Sequence, residues 1–197
     1  MPYISNKKTD SANQKRQEFE ELAFEYMNSL YSTALRMTRN ELDAEDLVQD
    51  VYVRAFRFFH KFEKGTNFKA WIFKILTNTY INQYRKKSRE PLQVSFEKVD
   101  YTIAGIEETN LHKQNLDEIN YNGIFDDEIQ SALAQLSSEF RMVVLLADVE
   151  EFTYKEIAEI IECPIGTVMS RLSRARRQLQ THLKEYATKH GFIKNSK

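Results

Sequence analysis

Apolar residues recur every three or four positions along most of this chain, the spacing of one buried face of an α-helix. The first stripe predicts a long helix over about residues 14–39, ended at Asn40. A second helix is predicted from Asp43, an expected N-cap, and a third over about 68–89, ended by Pro91. The first two stripes consist of Phe19, Leu22, Ala23, Tyr26, Leu30, Ala34 and Met37, then Leu47, Val48, Val51, Phe56 and Phe59.

The second half repeats this spacing in shorter segments. Two helices are marked by Ile129, Leu133 and Leu136, and by Phe140, Val143, Val144, Leu145 and Ala147. Residues 154–178 then contain two more helical patterns, separated at Cys163-Pro164. The first helix should end there because the residue before a proline avoids helical geometry, and Pro164 suits the first turn of the next helix. In the last pattern the predicted buried stripe is Val168, Leu172, Ala175 and Leu179.

The composition supports an all-helical fold. The chain has 197 residues with only 5 Gly and 3 Pro, and strand-like alternation is rare. We predict an all-α protein of two small helical domains, residues 14–91 and 124–187, the second a four-helix domain containing a helix-turn-helix. The acidic stretch 92–123 is predicted to be a flexible linker, and residues 1 to about 13 are expected to be disordered.

Charge is distributed in blocks, although the formal net charge is only −1. Residues 68–90 contain six basic residues and one acid, and residues 165–184 contain five basic residues and no acid. Between them, residues 96–128 contain nine acids and two lysines. Two basic patches separated by an acidic connector predict two contacts with a polyanion.

The single Cys163 excludes an internal disulfide framework and a multi-cysteine zinc site. The polar N-terminus lacks the apolar core of a secretory signal, and the longest apolar run, 142–147, is too short to span a membrane. A cytoplasmic protein without membrane insertion is therefore expected.

The final helical pattern has the features of a DNA-reading helix. Its N-terminal turns should meet base edges, as in helix-turn-helix proteins, and Arg174 is the predicted base reader because arginine pairs with guanine. Ser170 and Ser173 are predicted as secondary contacts, with Thr167 also facing outward. Arg171, Arg176 and Arg177 are expected to anchor phosphates, unless Arg171 pairs with Glu156 or Glu159. The alternative is an ordinary solvated face.

The third helix carries a second nucleic-acid signal. Its aromatic residues are Phe68, Trp71, Phe73, Tyr80 and Tyr84, interleaved with Lys69, Lys74, Asn78, Asn82, Arg85, Lys86 and Lys87. Aromatic faces stack on unpaired bases and cations follow the backbone, so the mixture favours single-stranded DNA. For any one aromatic residue, a place in the core is the simpler interpretation.

The acidic run ELDAEDLVQD, residues 41–50, has three possible roles. Asp43, Asp46 and Asp50 share one helical face. They could hold Mg²⁺ for nuclease chemistry, although no histidine and no phosphate-binding glycine loop accompany them. The other interpretations are a solvated helix start and a docking face for a basic protein partner.

Three segments together resemble a known family. They are DAEDLVQDVYVRAF, FKAWIFKILTNTYINQYRKK and LSSEFRMVVLLADVEEFTYKEIAEIIECPIGTVMSRLSRARRQL. They resemble sigma-70 factors of the extracytoplasmic-function subgroup over about residues 14–91 and 124–184, as regions two and four with a linker in place of region three. The family usually has proline at Ser137 or Ser138 and a basic residue at Met169, so one phosphate contact differs here.

The resemblance implies a transcription initiation factor with no catalytic site, cofactor or metal. Its implied partners are core RNA polymerase, through the β′ and β subunits, promoter DNA and an anti-sigma factor. Polymerase binding is implied for Asp43, Asp46, Leu47, Gln49 and Asp50. The loop 60–67 resembles the one that captures a flipped-out base of the minus-ten element. Minus-ten contacts are implied for Lys64, Asn67, Phe68, Trp71, Lys74, Asn78, Asn82, Arg85 and Lys86. Minus-thirty-five contacts are implied for Thr167, Ser170, Arg171, Ser173, Arg174 and Arg177.

Two other functions stay open at this point. A stand-alone helix-turn-helix regulator would leave the acidic second helix and the aromatic third helix unexplained. A nuclease would use Asp43, Asp46 and Asp50, and metal-dependent cleavage by the purified chain would reveal it.

Overall fold

A computed structural model describes residues 7–89 and 127–192, with side chains described over 13–83 and 128–192. Every regular element in these two ranges is helical, which confirms the all-α prediction for them. The helices are α1 (Lys7–Glu25), α2 (Met27–Thr38), α3 (Glu41–Phe58), α4 (Phe68–Arg89), α5 (Asp127–Gln135), α6 (Ser138–Val144), α7 (Tyr154–Ile160), α8 (Ile165–His182) and α9 (Lys184–Lys189). The predicted linker 92–123 lies outside the described residues.

The first predicted helix is in fact two helices. α1 already begins at Lys7, within the segment expected to be disordered, and the chain leaves helical geometry at Tyr26, with φ −104° and ψ 6°. Leu30 N still donates to Tyr26 O, and α2 begins directly after this residue at Met27. The expectation of one continuous helix is wrong, and no Gly or Pro marks the break in the sequence.

The start of α3 also differs from the prediction. Asn40, not Asp43, is the N-cap: it is extended at φ −149°, and its Oδ1 accepts from Asp43 N at 2.9 Å. The helix therefore begins at Glu41, with Glu41 and Asp43 in the first turn, where acids oppose the helix dipole. Just before it, Arg39 closes α2 in the left-handed region at φ 62°.

The N-terminal domain packs α2, α3 and α4 around one apolar core. Its fully buried side chains include Leu30, Met37, Leu47, Val51, Ile72, Phe73 and Leu76, and the buried alanines Ala34, Ala44 and Ala55 allow close helix approach. Two tyrosines tie helices together: Tyr80 Oη donates to Met37 O at 3.1 Å, and Tyr52 Oη donates to Ala23 O at 3.2 Å. Burial raises the pKa of Tyr52 to about 12, so it stays protonated at neutral pH.

The C-terminal domain is built from α5 to α9, one helix more than predicted. Ser137 caps α6 by accepting from Phe140 N, which gives this residue a role where the family usually has proline. A π-helical turn, Leu145–Val149, continues α6. Val168, Leu172 and Ala175 of α8 are buried and Leu179 is half-buried, which confirms the predicted stripe.

The two domains contact each other directly. α4 packs against α7, and α2 packs against α5 and α6. The apolar part of this contact includes Phe73 and Phe152, whose rings meet edge to face with centroids 5.3 Å apart. The buried apolar residues of the two domains form one hydrophobic cluster, and the ion pairs Lys69–Glu150 and Lys74–Glu162 add polar contacts.

Two leucines of α3 give a test of which helix face is structural. Leu47 is fully buried and Leu42 is 73% exposed. Leu47→Ala should lower the free energy of unfolding by about 2–5 kcal/mol, because it removes buried contacts and leaves a cavity. Leu42→Ala, the matched control, should change it by less than about 0.5 kcal/mol. Chemical denaturation of both variants measures the difference, and equal losses would contradict this packing.

Candidate nucleic-acid interface

The loop before α4 is held in a defined shape by its own polar groups. One 3₁₀ turn, Phe59–Lys61, leads into it, and Gly65 adopts the left-handed region at φ 87°, which favours glycine. Thr66 Oγ1 donates to Glu63 O at 2.7 Å, and Asn67 Oδ1 accepts from Ala70 N at 3.0 Å. Asn67 therefore caps α4, a structural role in addition to the predicted DNA contact.

Four aromatic rings pack together beneath this loop. Phe59 and Phe68 are buried, whereas Phe62 and Trp71 are half-buried, with centroids 5.3 Å apart. The prediction of a DNA contact for Phe68 is corrected, because this side chain belongs to the core. Trp71 keeps part of its surface accessible, so it remains the aromatic candidate for stacking.

The polar side of α4 is only partly exposed. Asn78 is half-buried and Asn82 is exposed. Lys74 Nζ instead lies 3.0 Å from Glu162 Oε1 of the other domain, and Asn67 Nδ2 donates to Glu156 Oε1 at 2.8 Å. Lys64 is exposed and pairs with Glu18 at 2.7 Å. The side chains of Arg85 and Lys86 lie outside the described residues.

The acidic face of α3 is a separate surface. Asp46, Gln49 and Asp50 are exposed, and Asp50 Oδ2 accepts from Gln83 Nε2 at 3.1 Å. Asp43 is half-buried, and the predicted polymerase contact Leu47 is corrected because it is fully buried. Among the described side chains, no group of three or more His, Cys, Asp or Glu is arranged to hold a metal ion.

Exposed apolar residues on α3 were missed at the sequence level. Leu42, Val53 and Phe56 are 73%, 59% and 53% exposed. Phe56 had been assigned to the buried stripe. Together with the carboxylates they give α3 a mixed face, which is typical of protein docking surfaces.

The helix-turn-helix is fixed at its start by a capping box. Thr153 Oγ1 accepts from Glu156 N, and Glu156 Oε2 accepts from Thr153 N at 2.9 Å. The hydrogen bond from the Thr153 backbone, followed by the bond from its hydroxyl, lowers the pKa of Glu156. Between the helices, Glu162 takes the left-handed conformation at φ 52°, and Pro164 is the N-cap of α8. Pro164 thus lies one position before the helical turn predicted for it.

The reading face of α8 is largely open. Ser170, Ser173, Arg174 and Arg177 are exposed, and Thr167 is half-buried. The Ser170 hydroxyl donates to Thr167 O at 3.1 Å within the helix, which leaves its oxygen free to accept from DNA. Arg174 and Arg177 are on the surface where contacts with base edges and phosphates were predicted.

Two other arginines of α8 are held within the domain. Arg171 Nη2 lies 2.9 Å from Glu139 Oε2 of α6, so its ion pair is with neither Glu156 nor Glu159, the partners considered from the sequence. The Arg176 guanidinium donates two hydrogen bonds to the Asp148 carboxylate, which raise the pKa of Arg176. The sequence predicts Arg176 as an anchor for a DNA phosphate, whereas in the structure its guanidinium pairs with a carboxylate of the protein.

Comparison with known proteins agrees with this geometry. The model of Sigma-70 region 2 matches residues 22–90, and the model of Sigma-70, region 4 matches residues 126–179. The ECF RNA polymerase sigma factor EcfG of Rhodopseudomonas palustris is 32% identical over 155 residues, which are 79% of each chain. The chain belongs to the sigma-70 family, in the extracytoplasmic-function subgroup. As a sigma factor, it directs RNA polymerase to promoters.

Other relatives extend the comparison. SigE of Mycolicibacterium smegmatis is 32% identical over 170 residues, which are 86% of this chain and 63% of that protein. The sigma factor RpoE of Bartonella quintana, solved in complex with the anti-sigma factor NepR, has 32% identity and a TM-score of 0.66, covering 85% of this chain and 98% of that one. CnrH, solved with the cytosolic domain of CnrY, shares the fold at 21% identity and a TM-score of 0.60, over 90% of this chain and 94% of that one.

No helix within the described residues of the present sigma factor is both long and apolar enough to cross a membrane.

Proposed function

We propose that this sigma factor uses three separate surfaces during initiation: α3 for core polymerase, the loop 60–67 with α4 for melted minus-ten DNA, and α8 for the minus-thirty-five element. These three surfaces belong to two domains, residues 14–91 and residues 124–187, which are joined by the linker 92–123. The observation that carries the proposal is that α3 and α8 direct unlike polar faces, one acidic and one basic, away from their cores. The factor would work in the cytoplasm with the polymerase and contribute no catalytic group.

For polymerase docking, the proposed surface is the exposed row Asp46, Gln49 and Asp50 against a basic coiled coil of the β′ subunit. The exposed apolar residues Leu42 and Val53 flank these carboxylates. Opposite charges then accelerate encounter and fix register, while the apolar residues add buried area. The C-terminal domain is proposed to meet the β subunit.

Partnership with an anti-sigma factor is a further part of the proposal. The similar sigma factor RpoE of Bartonella quintana was solved with NepR bound. At 32% identity over 85% of this chain, the likeness supports a protein inhibitor of the same general kind here. Capture from cells with the full chain, followed by mass spectrometry, would show both polymerase and inhibitor.

The docking surface is tested by charge reversal. Asp46→Lys should weaken binding to core polymerase by about tenfold or more, because it replaces an attraction by a repulsion. Glu21→Lys, a reversal at an exposed residue of α1, is the matched control and should leave affinity nearly unchanged. Affinities measured by fluorescence anisotropy at two salt concentrations separate the two, and equal effects would exclude α3 as the docking face.

The melting role is tested at residues that do not cap a helix. Asn78→Ala combined with Asn82→Ala should reduce permanganate reactivity of promoter thymines in the holoenzyme, because base contacts to the open strand are lost. A promoter carrying an artificial mismatch bubble is the control, and it should restore much of the transcription. Unchanged reactivity on the duplex promoter would show that α4 does not stabilise melted DNA.

The reading helix is tested by comparing two exposed arginines. Arg174→Ala should relax preference at one base pair of the minus-thirty-five element by about 1–3 kcal/mol, since a bidentate contact to guanine is lost. Arg177→Ala should weaken all promoters equally and lower the salt dependence. A panel of promoter variants assayed at two salt concentrations distinguishes these results. A uniform effect of Arg174→Ala would reassign that residue to the phosphates.

A further inference from the structure

The first turns of α8 carry exposed apolar side chains beside the face that is proposed to read DNA. Met169 is 52% exposed, and Ile165, one helical turn before it, is 49% exposed. Val168 and Leu172 are buried, so the apolar core is already filled from the other side of the helix. Exposed apolar side chains stabilise a fold little, because the stabilisation comes from removing apolar area from water. Two of them together at this place therefore indicate a contact with another molecule.

Met169 also lines a shallow groove of about 400 Å³ along α8. Ser173 and Arg177, both exposed and both proposed DNA contacts, line the same groove, and Tyr154 of α7 forms part of its wall. Among the residues that line it within the described part of the chain, the charged ones are Arg176 and Arg177. A basic groove with an apolar patch suits DNA, which offers phosphates and base edges together.

A glycine occupies the same part of α8 without a structural reason. Gly166 is exposed and its φ is not positive, so its backbone conformation does not call for glycine. Apart from its chain neighbours and its own helical turn, no atom lies within 4 Å of the position that a Cβ would take. Alanine would fit here and would lose less conformational entropy on folding. The missing side chain instead leaves room for another molecule to approach the helix closely.

Gly166 and Met169 are neighbours on the surface of α8, because residues three apart share a helical face. Helical side chains lean towards the N-terminus, so the Met169 side chain is expected to lean over the turn that contains Gly166. The two residues therefore define an apolar recess. In helix-turn-helix proteins the first turns of the second helix meet base edges in the major groove. The apolar group that a base displays there is the 5-methyl group of thymine.

We infer that the recess at Gly166 and Met169 takes the 5-methyl group of a thymine in the minus-thirty-five element, which makes Met169 a specificity-determining residue. The inference rests on the proposed function of α8. Met169 distinguishes an A·T pair from a G·C pair by an apolar contact, without a hydrogen bond. Arg174 reads a guanine by hydrogen bonds at a separate base pair.

The test removes the methyl group from the DNA. Wild-type holoenzyme first selects its promoter from a random library, and each thymine of the upstream element is then replaced by deoxyuridine, one at a time on either strand. Wild-type holoenzyme should bind one of these promoters about fourfold more weakly, the loss expected for one buried methyl group. Met169→Ala should bind the thymine and deoxyuridine forms of that promoter equally. Met27→Ala, a matched change at a methionine of α2 that is 40% exposed, should keep the fourfold preference.

Gly166→Ala tests the recess from the other side. The added Cβ should take up the room of the methyl group, so binding of the thymine promoter should fall by about fourfold or more. The preference for thymine over deoxyuridine should be lost at the same time. The melting temperature of this variant should be unchanged or higher, since alanine stabilises an exposed helical position. Weaker binding then comes from the lost contact and not from unfolding.

Several results would overturn the inference. They are wild-type binding that no deoxyuridine changes, a selected upstream element without an A·T pair, a thymine preference that persists in Met169→Ala, and normal binding by Gly166→Ala. Weaker binding of Met169→Ala to core polymerase, with the thymine preference intact, would place Met169 in a protein contact instead. Arg174→Ala and Arg177→Ala on the same promoters test the proposed function separately. If neither weakens binding, α8 is not the reader, whereas weaker binding without any methyl effect removes only the recess.

Discussion

The arrangement of this molecule depends on the need of a buried carboxylate for partners. Glu150 belongs to the C-terminal domain, yet the groups that satisfy it, Thr33 and Lys69, belong to the N-terminal domain. The same charge acts on Arg36, whose pKa is lowered by burial while the Glu150 carboxylate opposes that shift. If the domains separate, water replaces Thr33 and Lys69 as the partners of the carboxylate. These bonds therefore stabilise the contact between the domains only while all of the partners are in place.

The interface between the domains combines apolar and polar contacts. Leu47 of the N-terminal domain and Leu172 of the C-terminal domain are buried in one hydrophobic cluster that includes residues of both domains. The interface adds one aromatic contact, Phe73 with Phe152, to a set of ion pairs and hydrogen bonds.

The helices and most buried stripes could be predicted from the sequence because periodic burial is a local signal. The helix-turn-helix was predicted for the same reason: Val168, Leu172 and Ala175 alternate with exposed arginines. The break at Tyr26 could not be predicted, since no glycine or proline marks it. Contacts within the protein also escaped the prediction: Asn67 caps α4, Arg171 pairs with Glu139, and Arg176 pairs with Asp148. Leu47 was correctly placed in the buried stripe, which contradicts the polymerase contact that the resemblance implied for it.

The contact between the domains was absent from the sequence-based prediction because it joins Thr33 and Glu150, which are 117 positions apart in the chain. Periodic burial is a local signal and does not pair residues so distant. The most direct measurement of the account is a cryo-electron microscopy structure of core polymerase with this factor on an open promoter. In that complex we expect α3 to lie against the polymerase, α4 beside the melted minus-ten strand and α8 in the minus-thirty-five element. Melted DNA bound away from α4, or an upstream element bound away from α8, would contradict the proposed surfaces.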